Sequence, residues 1–428
     1  MRQPGRAQPR PRAMRCVRRG FALKPQRASA GALAVLLAAL AMIGPFSVDT
    51  YLPSFPSIQA DFAVSQVRVQ QTLSVYLLGF AVMMLFHGTL SDSFGRRPVI
   101  LANLLIFVLA SVGCAVAATF EQLLMFRGIQ GLCAGSGIVV GRAIIRDTYE
   151  GHAAQRLLSL VTMIFGVAPA LAPVIGGWLQ AGFGWRSVFL FLAIFSAALL
   201  LACYMRLPET LPAQQRQPFA LAPLARNYWK LGRSVPLFLL SSAIALNFCG
   251  FFLYIVSAPA FIYDLLHLSE TEFAWLFVPG ILGVMLGAFL SGRLAGRLTP
   301  RQTVKLGYAI LFSAVAFNLL HSAMATPAVP WSVLPVMLYA VGMALAMPSI
   351  TLLALDLFPA NRGLASSLQG FEHGFVSAIV AGFVSPLVSH SAMALAFGMA
   401  ILGALGWTFW MAYVLLETRG LAKVRRSE

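Results

Sequence analysis

The sequence predicts an all-α integral membrane protein with twelve transmembrane helices in two six-helix bundles. Hydrophobic residues make up 59% of the 428, charged residues 11%, and the mean hydropathy is +0.80, a balance foreign to soluble domains of this length. Twelve apolar runs recur along the chain, each close to the ~20 residues that a helix rising about 1.5 Å per residue needs to cross a hydrocarbon core roughly 30 Å thick. The cations follow the same alternation. Of the 31 Lys and Arg, only Arg68 and Arg186 fall in the loops of one side and Arg127 lies inside a span near that side, while the other 28 lie in the tails, the opposite loops or the span ends that border them, the asymmetry expected when the cation-rich side is cytoplasmic.

Residues 1–29 hold nine Lys/Arg and no acid; such a segment cannot bury a core and is expected to be a basic, disordered cytoplasmic tail. Arg18-Arg19-Gly20-Phe21-Ala22-Leu23-Lys24 superficially resembles a twin-arginine export signal, but the apolar run after it is too long and many more follow. The spans read as 30–53, 69–90, 98–118, 122–145, 157–181, 187–206, 235–260, 272–295, 303–323, 331–355, 364–388 and 391–416. An even number returns the 417–428 tail to the side of the N-terminus. The one long internal connection, 207–234, carries Pro208, Pro212, Pro218 and Pro223 and four cations, with Arg206 just before it, and reads as a cytoplasmic linker between bundles 30–206 and 235–416. A shift of 200 residues lays Leu90-Ser91-Asp92 and Arg97 on Leu290-Ser291-Gly292 and Arg297, a weak internal repeat of the kind expected for parallel six-helix halves.

The formal charge of +17 does not indicate nucleic acid, because the cations are spread over tails and alternate loops. Five cysteines and six histidines are dispersed, without C-x-x-C, H-E-x-x-H, G-x-S-x-G or P-loop spacing. Neither a metal site, a bound cofactor nor an enzyme is indicated.

Polar groups inside the spans are therefore the candidates for function. Asp49, in Ser47-Val48-Asp49-Thr50-Tyr51-Leu52-Pro53, ends the first apolar run, and a carboxylate at that depth is costly unless it meets a cation or a polar cavity. Glu372 lies about nine residues, ~14 Å, into the eleventh span, beside His373. It is a second candidate proton carrier. Asn247, Tyr254 and Asn318 are polar groups in otherwise apolar runs, expected to line a cavity with Phe248, Phe251 and Phe252. With Asp49, Tyr51, Glu372 and His373, the residues Asn247 and Tyr254 form the candidate substrate contacts. In the fifth span, Gly166-Val167-Ala168-Pro169-Ala170-Leu171-Ala172-Pro173-Val174-Ile175-Gly176-Gly177 combines small residues with Pro169 and Pro173, a packing seam and hinge centred on Gly176.

The loop Gly88-Thr89-Leu90-Ser91-Asp92-Ser93-Phe94-Gly95-Arg96-Arg97-Pro98 is a tight turn whose carboxylate can sit at a neighbouring helix N-terminus. Here the chain resembles the major facilitator superfamily, whose loop signature G-x-x-x-D-x-x-G-R-[RK] is matched at Gly88, Asp92, Gly95, Arg96 and Arg97. Arg127-Gly128-Ile129-Gln130-Gly131 resembles the fourth-helix signature of the same superfamily. That likeness implies a part in proton coupling for Arg127, beside a carboxylate or through a water. The fifth-span segment resembles the antiporter motif of drug exporters. With Gly184-Trp185-Arg186 and Pro208-Glu209-Thr210-Leu211, these segments look like the Bcr/CflA-type multidrug exporters over residues 30–417.

The resemblance implies a drug/proton antiporter of the bacterial inner membrane, with Asp49 as the matching carboxylate, no cofactor beyond the proton motive force, and a monomer that meets only substrate, protons and lipid. The chain departs from that family at Glu372-His373, where apolar or amide residues are expected. A transporter of one metabolite on the same fold remains an alternative at this stage; a membrane-embedded enzyme or sensor is disfavoured because His87, Glu372 and His373 are too separated to form one centre.

Overall fold

A computed structural model describes residues 30–427; the basic 1–29 segment lies outside them. The order is α1 (Ala30–Asp49), α2 (Phe55–Phe62), α3 (Gln66–Met84), α4 (His87–Phe94), α5 (Arg96–Ala115), α6 (Phe120–Ala134), α7 (Ser136–Thr148), α8 (Gly151–Phe183) and α9 (Arg186–Arg206). There follow α10 (Leu221–Gly232), α11 (Val235–Val256), α12 (Ala274–Leu294), α13 (Pro300–Met324), α14 (Leu334–Asp356), α15 (Arg362–Ile379), α16 (Ser385–Val388) and α17 (Ala392–Ser427). The protein is all-α: twelve helices are long and apolar enough to cross a membrane, and no strand forms among the described residues.

Span boundaries follow local chemistry. Ser65, Thr119 and Ser234 cap α3, α6 and α11 by accepting an N–H of the first turn, and Thr299 with Gln302 forms a full capping box on α13. The second span ends at Met84 rather than near 90, because the chain turns at Leu85 and Phe86 and restarts as α4. The fourth span is broken at Gly135 into α6 and α7, and the eleventh passes through a π-helical turn, Val380–Val384, before α16. The linker is not all coil, since it holds the amphipathic helix α10; α17 runs on beyond residue 416 to Ser427.

Packing divides the spans into two sets. In the first, α1 lies on α8, α3 on α6 and α5 on α9; in the second, α11 lies on α17, and α14 on α12 and α13. Small residues set the closest crossings: a Cβ on Gly307 of α13 would stand 2.7 Å from the Gly342 carbonyl oxygen of α14. The sets meet along α3 and α15, and again between α8 and α12. The α3–α15 seam is tight throughout: a Cβ on Gly370 would lie 2.8 Å from Met84 Cε, one on Gly374 2.8 Å from Ala81 Cβ, and one on Gly382 3.0 Å from Ser74 Cβ. The two ends of the bundle are named below for Asp49 and for Asp92, because α3 runs from the first to the second.

Candidate functional site

Asp49 is the last residue of α1 and is 5% exposed. No hydrogen bond or ion pair reaches its carboxylate among the described residues. The chain just beyond it is held by both sets of helices: the Thr50 carbonyl presses on the Cα face of Gly176 in α8, and Pro53 accepts a 2.8 Å hydrogen bond from Tyr263 of the second set. Gly176 carries no side chain because one would collide with that carbonyl.

Tyr76 of α3 stands against the buried cation of the fourth span, and its hydroxyl donates to the Gly44 carbonyl of α1 at 3.4 Å. Arg127 is fully buried, with its guanidinium 4.5 Å from the Tyr76 ring centroid and 4.7 Å from that of Tyr51. Its Nη1 donates to Gln130 Oε1 at 2.8 Å, and Gln130 Nε2 donates to Ser111 Oγ at 2.8 Å; Nε and Nη2 have no partner. Among the described residues no carboxylate touches Arg127; an aromatic cage and an amide surround it. Tyr51 is itself enclosed, its hydroxyl bonded to Thr72 Oγ1 at 2.8 Å. In this conformation it walls the arginine and faces no open cavity.

At the opposite end, the signature loop forms a polar knot. Arg96 is 6% exposed and pairs with Asp92 at 2.5 Å and with Asp147, at the end of α7, at 2.9 Å. Its Nη1 also donates to Ser91 Oγ. The carboxylate at the N-terminus of α5 is not Asp92 but Glu209, which accepts the backbone N–H groups of Arg96 at 3.0 Å and Arg97 at 3.3 Å. Asp92 cannot do this, because its side chain engages Arg96 one turn on. Gly95, at φ +103°, makes room for the cap: a Cβ there would stand 2.5 Å from Glu209 Oε2. Arg97 reaches away, donating to the Tyr204 carbonyl at 2.7 Å, and the Gly88 carbonyl accepts from Ser91 Oγ at 2.9 Å. All these partners belong to the first set or to the start of the linker.

Glu372 stands apart from Arg127 and Asp49. It accepts a short hydrogen bond from Ser242 of α11 and lines a groove of about 230 Å³ between α10, α11 and α15. It makes no ion pair with Arg127 or His373. His373 meets the same helix, α11, further along, its ring centroid 4.4 Å from that of Phe248.

Asn247 and Tyr254 are enclosed in this conformation. Asn247 is 1% exposed and donates to Tyr308 at 2.7 Å, while Tyr254, 1% exposed, accepts from Asn318 at 2.8 Å. They tie α11 to α13 within the second set, although Asn247 Oδ1 is left buried without a partner. Pro169 and Pro173 both lie inside the unbroken α8, whose apolar window is 17% buried against 83% for α11. That contrast makes α11 a pillar, while α8 is buried mainly toward its end, where Ala168, Ala172, Pro173, Gly176 and Gly177 pack.

Sequence reading missed Asp147, Ser242, Tyr76, Tyr263 and the capping role of Glu209. Glu209 was visible in a motif, but its partners lie more than a hundred positions upstream. Asp147, beside Arg146, reads from sequence as an ordinary loop acid.

Twelve membrane-length helices in two sets, with a handful of enclosed polar groups, have the architecture of a membrane transporter. The chain belongs to the Major Facilitator Superfamily, whose family model matches residues 35–381. It is 31% identical over 335 residues to the multidrug resistance protein MdtL of Escherichia coli, covering 78% of this chain and 83% of that one. A bicyclomycin resistance protein homolog of Haemophilus influenzae is 27% identical, over 90% of this chain and 96% of that protein. An MFS-type transporter of Bacillus subtilis, YdgK, described as uncharacterized, is 30% identical, over 83% and 88%. Among solved structures, a bacterial homolog of the human lysosomal transporter Spinster, inward-facing and unoccupied, superposes with a TM-score of 0.66 at 17% identity, over 90% of this chain and 96% of that one. The human organic anion transporter MFSD10 gives 0.65 at 19%, over 91% and 100%. At these identities the last two speak for the fold alone.

Proposed function

We propose that this protein exports amphipathic small molecules across the bacterial inner membrane in exchange for protons, by alternating access and as a monomer with both termini cytoplasmic. The observation that carries the reading is Asp49: an enclosed carboxylate without a counter-ion, at the end of α1 where both sets of helices close over the chain. An ionised carboxylate in such surroundings costs about 2.5–3.5 kcal/mol. That cost is relieved by a proton or by a cationic or polar group on a substrate, and the two reliefs exclude each other. Exchange at one carboxylate follows. The proton motive force supplies the work, about 2.3 kcal/mol per charge per 100 mV. The resistance proteins similar to this chain support drugs as the substrate class.

A panel of toxic compounds tested on cells lacking their own exporters examines the substrate class. The expected result is raised tolerance to several chemically unrelated amphipaths, lost in Asp49→Asn. Tolerance to none, with accumulation of a single metabolite altered, would contradict it.

A further inference from the structure

We infer that the groove holding Glu372 is a lateral binding site for the head of a monovalent amphipathic organic cation, entered from the lipid side near the Asp92 end. The inference rests on the exporter reading only for its purpose; the site itself is argued from geometry. Glu372 is the one charged residue lining a groove otherwise made of Leu231 and Gly232 of α10, Leu237 and Phe238 of α11, and Leu368, Phe371 and Phe375 of α15. Phe238 is 51% exposed and Phe375 42%, on helices long and apolar enough to cross a membrane, so these walls face the acyl chains rather than the seam with α3. The seam is served by Gly370 and Gly374, on the opposite face of α15.

A carboxylate opening toward hydrocarbon calls for a cation, and the described residues supply none. Neither Lys230 nor Arg233 pairs with it, and the Arg233 guanidinium lies instead over the Trp229 ring at 4.9 Å. Ser242 fixes one carboxylate oxygen and no other hydrogen bond reaches the group. The stacked Phe371 and Phe375 rings, 5.7 Å apart, and Phe238 offer the aromatic faces that favour an organic ammonium. Size selects which part of the ligand fits: about 230 Å³ is less than the roughly 300–1,000 Å³ of sites that enclose a drug-sized molecule. The head enters, and the apolar body stays among the lipid chains along Phe375, Ile379 and Phe383, all exposed and one turn apart.

The test uses the full-length protein in nanodiscs of neutral lipid, without a gradient. The probe is dodecyltrimethylammonium bearing a diazirine beside its head, with dodecyl maltoside as the uncharged competitor. Crosslinks are expected in segments 231–238 and 368–375. Glu372→Gln should weaken binding by at least about tenfold, Glu372→Asp should restore most of it, and Phe375→Leu, a lipid-facing change, should weaken it about threefold. Wild-type affinity in Glu372→Gln, crosslinks only outside those segments, or equal competition by dodecyl maltoside would overturn the assignment. Because equilibrium binding is read without proton flux, failure here leaves the exporter reading standing, and absence of compound-driven proton flux with an intact groove would strike the exporter reading alone.

Discussion

Tyr263 donates its hydroxyl hydrogen to the Pro53 carbonyl at 2.8 Å, joining the second set of helices to the turn that follows Asp49. Gln70 Nε2 donates to Ser385 Oγ at 3.0 Å on the neighbouring seam, and the Glu270 carbonyl presses on Gly177 of α8. The closure over Asp49 thus consists of single hydrogen bonds and small-residue contacts, each worth about 1 kcal/mol. Such a seal separates at modest cost, as alternation requires. Tyr263→Phe should therefore raise labelling of a cysteine placed at Pro53 by a few fold, through a shift in populations, without loss of folded protein. Unchanged labelling would mean that this bond does not hold the closed state.

The α3–α15 seam offers a sharper test of movement. A Cβ on Gly382 would lie 3.0 Å from Ser74 Cβ, close to the separation of about 3.5–4.5 Å found across disulfides. Ser74→Cys with Gly382→Cys, in a background without the native cysteines, should crosslink on oxidation. Transport should then stop and return with reductant. Full transport by the crosslinked protein would show that this end of the seam stays shut throughout the cycle.

Glu209 should matter to the first set alongside Asp92, the one acid of the signature loop. It receives the N–H groups of Arg96, Arg97 and Leu211 and faces Arg216 at 3.6 Å. Glu209→Ala leaves the first turn of α5 uncapped and is expected to cost about 1–2 kcal/mol, read as a lower unfolding temperature in detergent. Gly95→Ala should cost at least as much, because it strains the φ +103° backbone and pushes against the same carboxylate. Wild-type unfolding temperatures in both would remove the knot from any structural role.

Linker helix α10 is tied to the first set by Tyr228, whose hydroxyl donates to the Leu85 carbonyl at 2.8 Å. Burial raises the Tyr228 pKa above the usual 10, against a smaller opposing effect from Ser367. Since the folded value lies above the unfolded one, its contribution to stability is full below pH 10 and is lost as pH rises through the folded pKa. Tyr228→Phe should lower stability by about 1 kcal/mol at neutral pH and make the alkaline decline shallower. An identical alkaline profile in the variant would show that another group governs it.

The twelve spans were legible because each is dictated by a local property, an apolar run of membrane length, that needs no knowledge of neighbours. The signature loop was legible as a motif but not as a structure. Arg96 rather than Arg97 takes Asp92 across the Gly95 break between α4 and α5, because Arg97 turns to the Tyr204 carbonyl, whereas Glu209 reaches α5 only through the fold. Asn247 and Tyr254 show the opposite failure. A polar residue in an apolar run reads the same whether it faces a cavity or a bonded neighbour, and their partners Tyr308 and Asn318 lie on another helix. The separation of Glu372 from its neighbour His373 is likewise a matter of helix rotation, which the sequence leaves open until α3 and α11 are packed against α15.

The central claim is that one carboxylate, Asp49, exchanges a proton for substrate. The most direct measurement is compound-triggered proton movement in proteoliposomes of purified protein with a pH-reporting dye inside, comparing wild type, Asp49→Asn and Glu372→Gln. The account expects a pH change on addition of substrate to the wild type, none with Asp49→Asn although substrate still exchanges down its own gradient, and a retained signal at high substrate with Glu372→Gln. Proton movement that persists in Asp49→Asn and disappears in Glu372→Gln would contradict it and move the proton to α15.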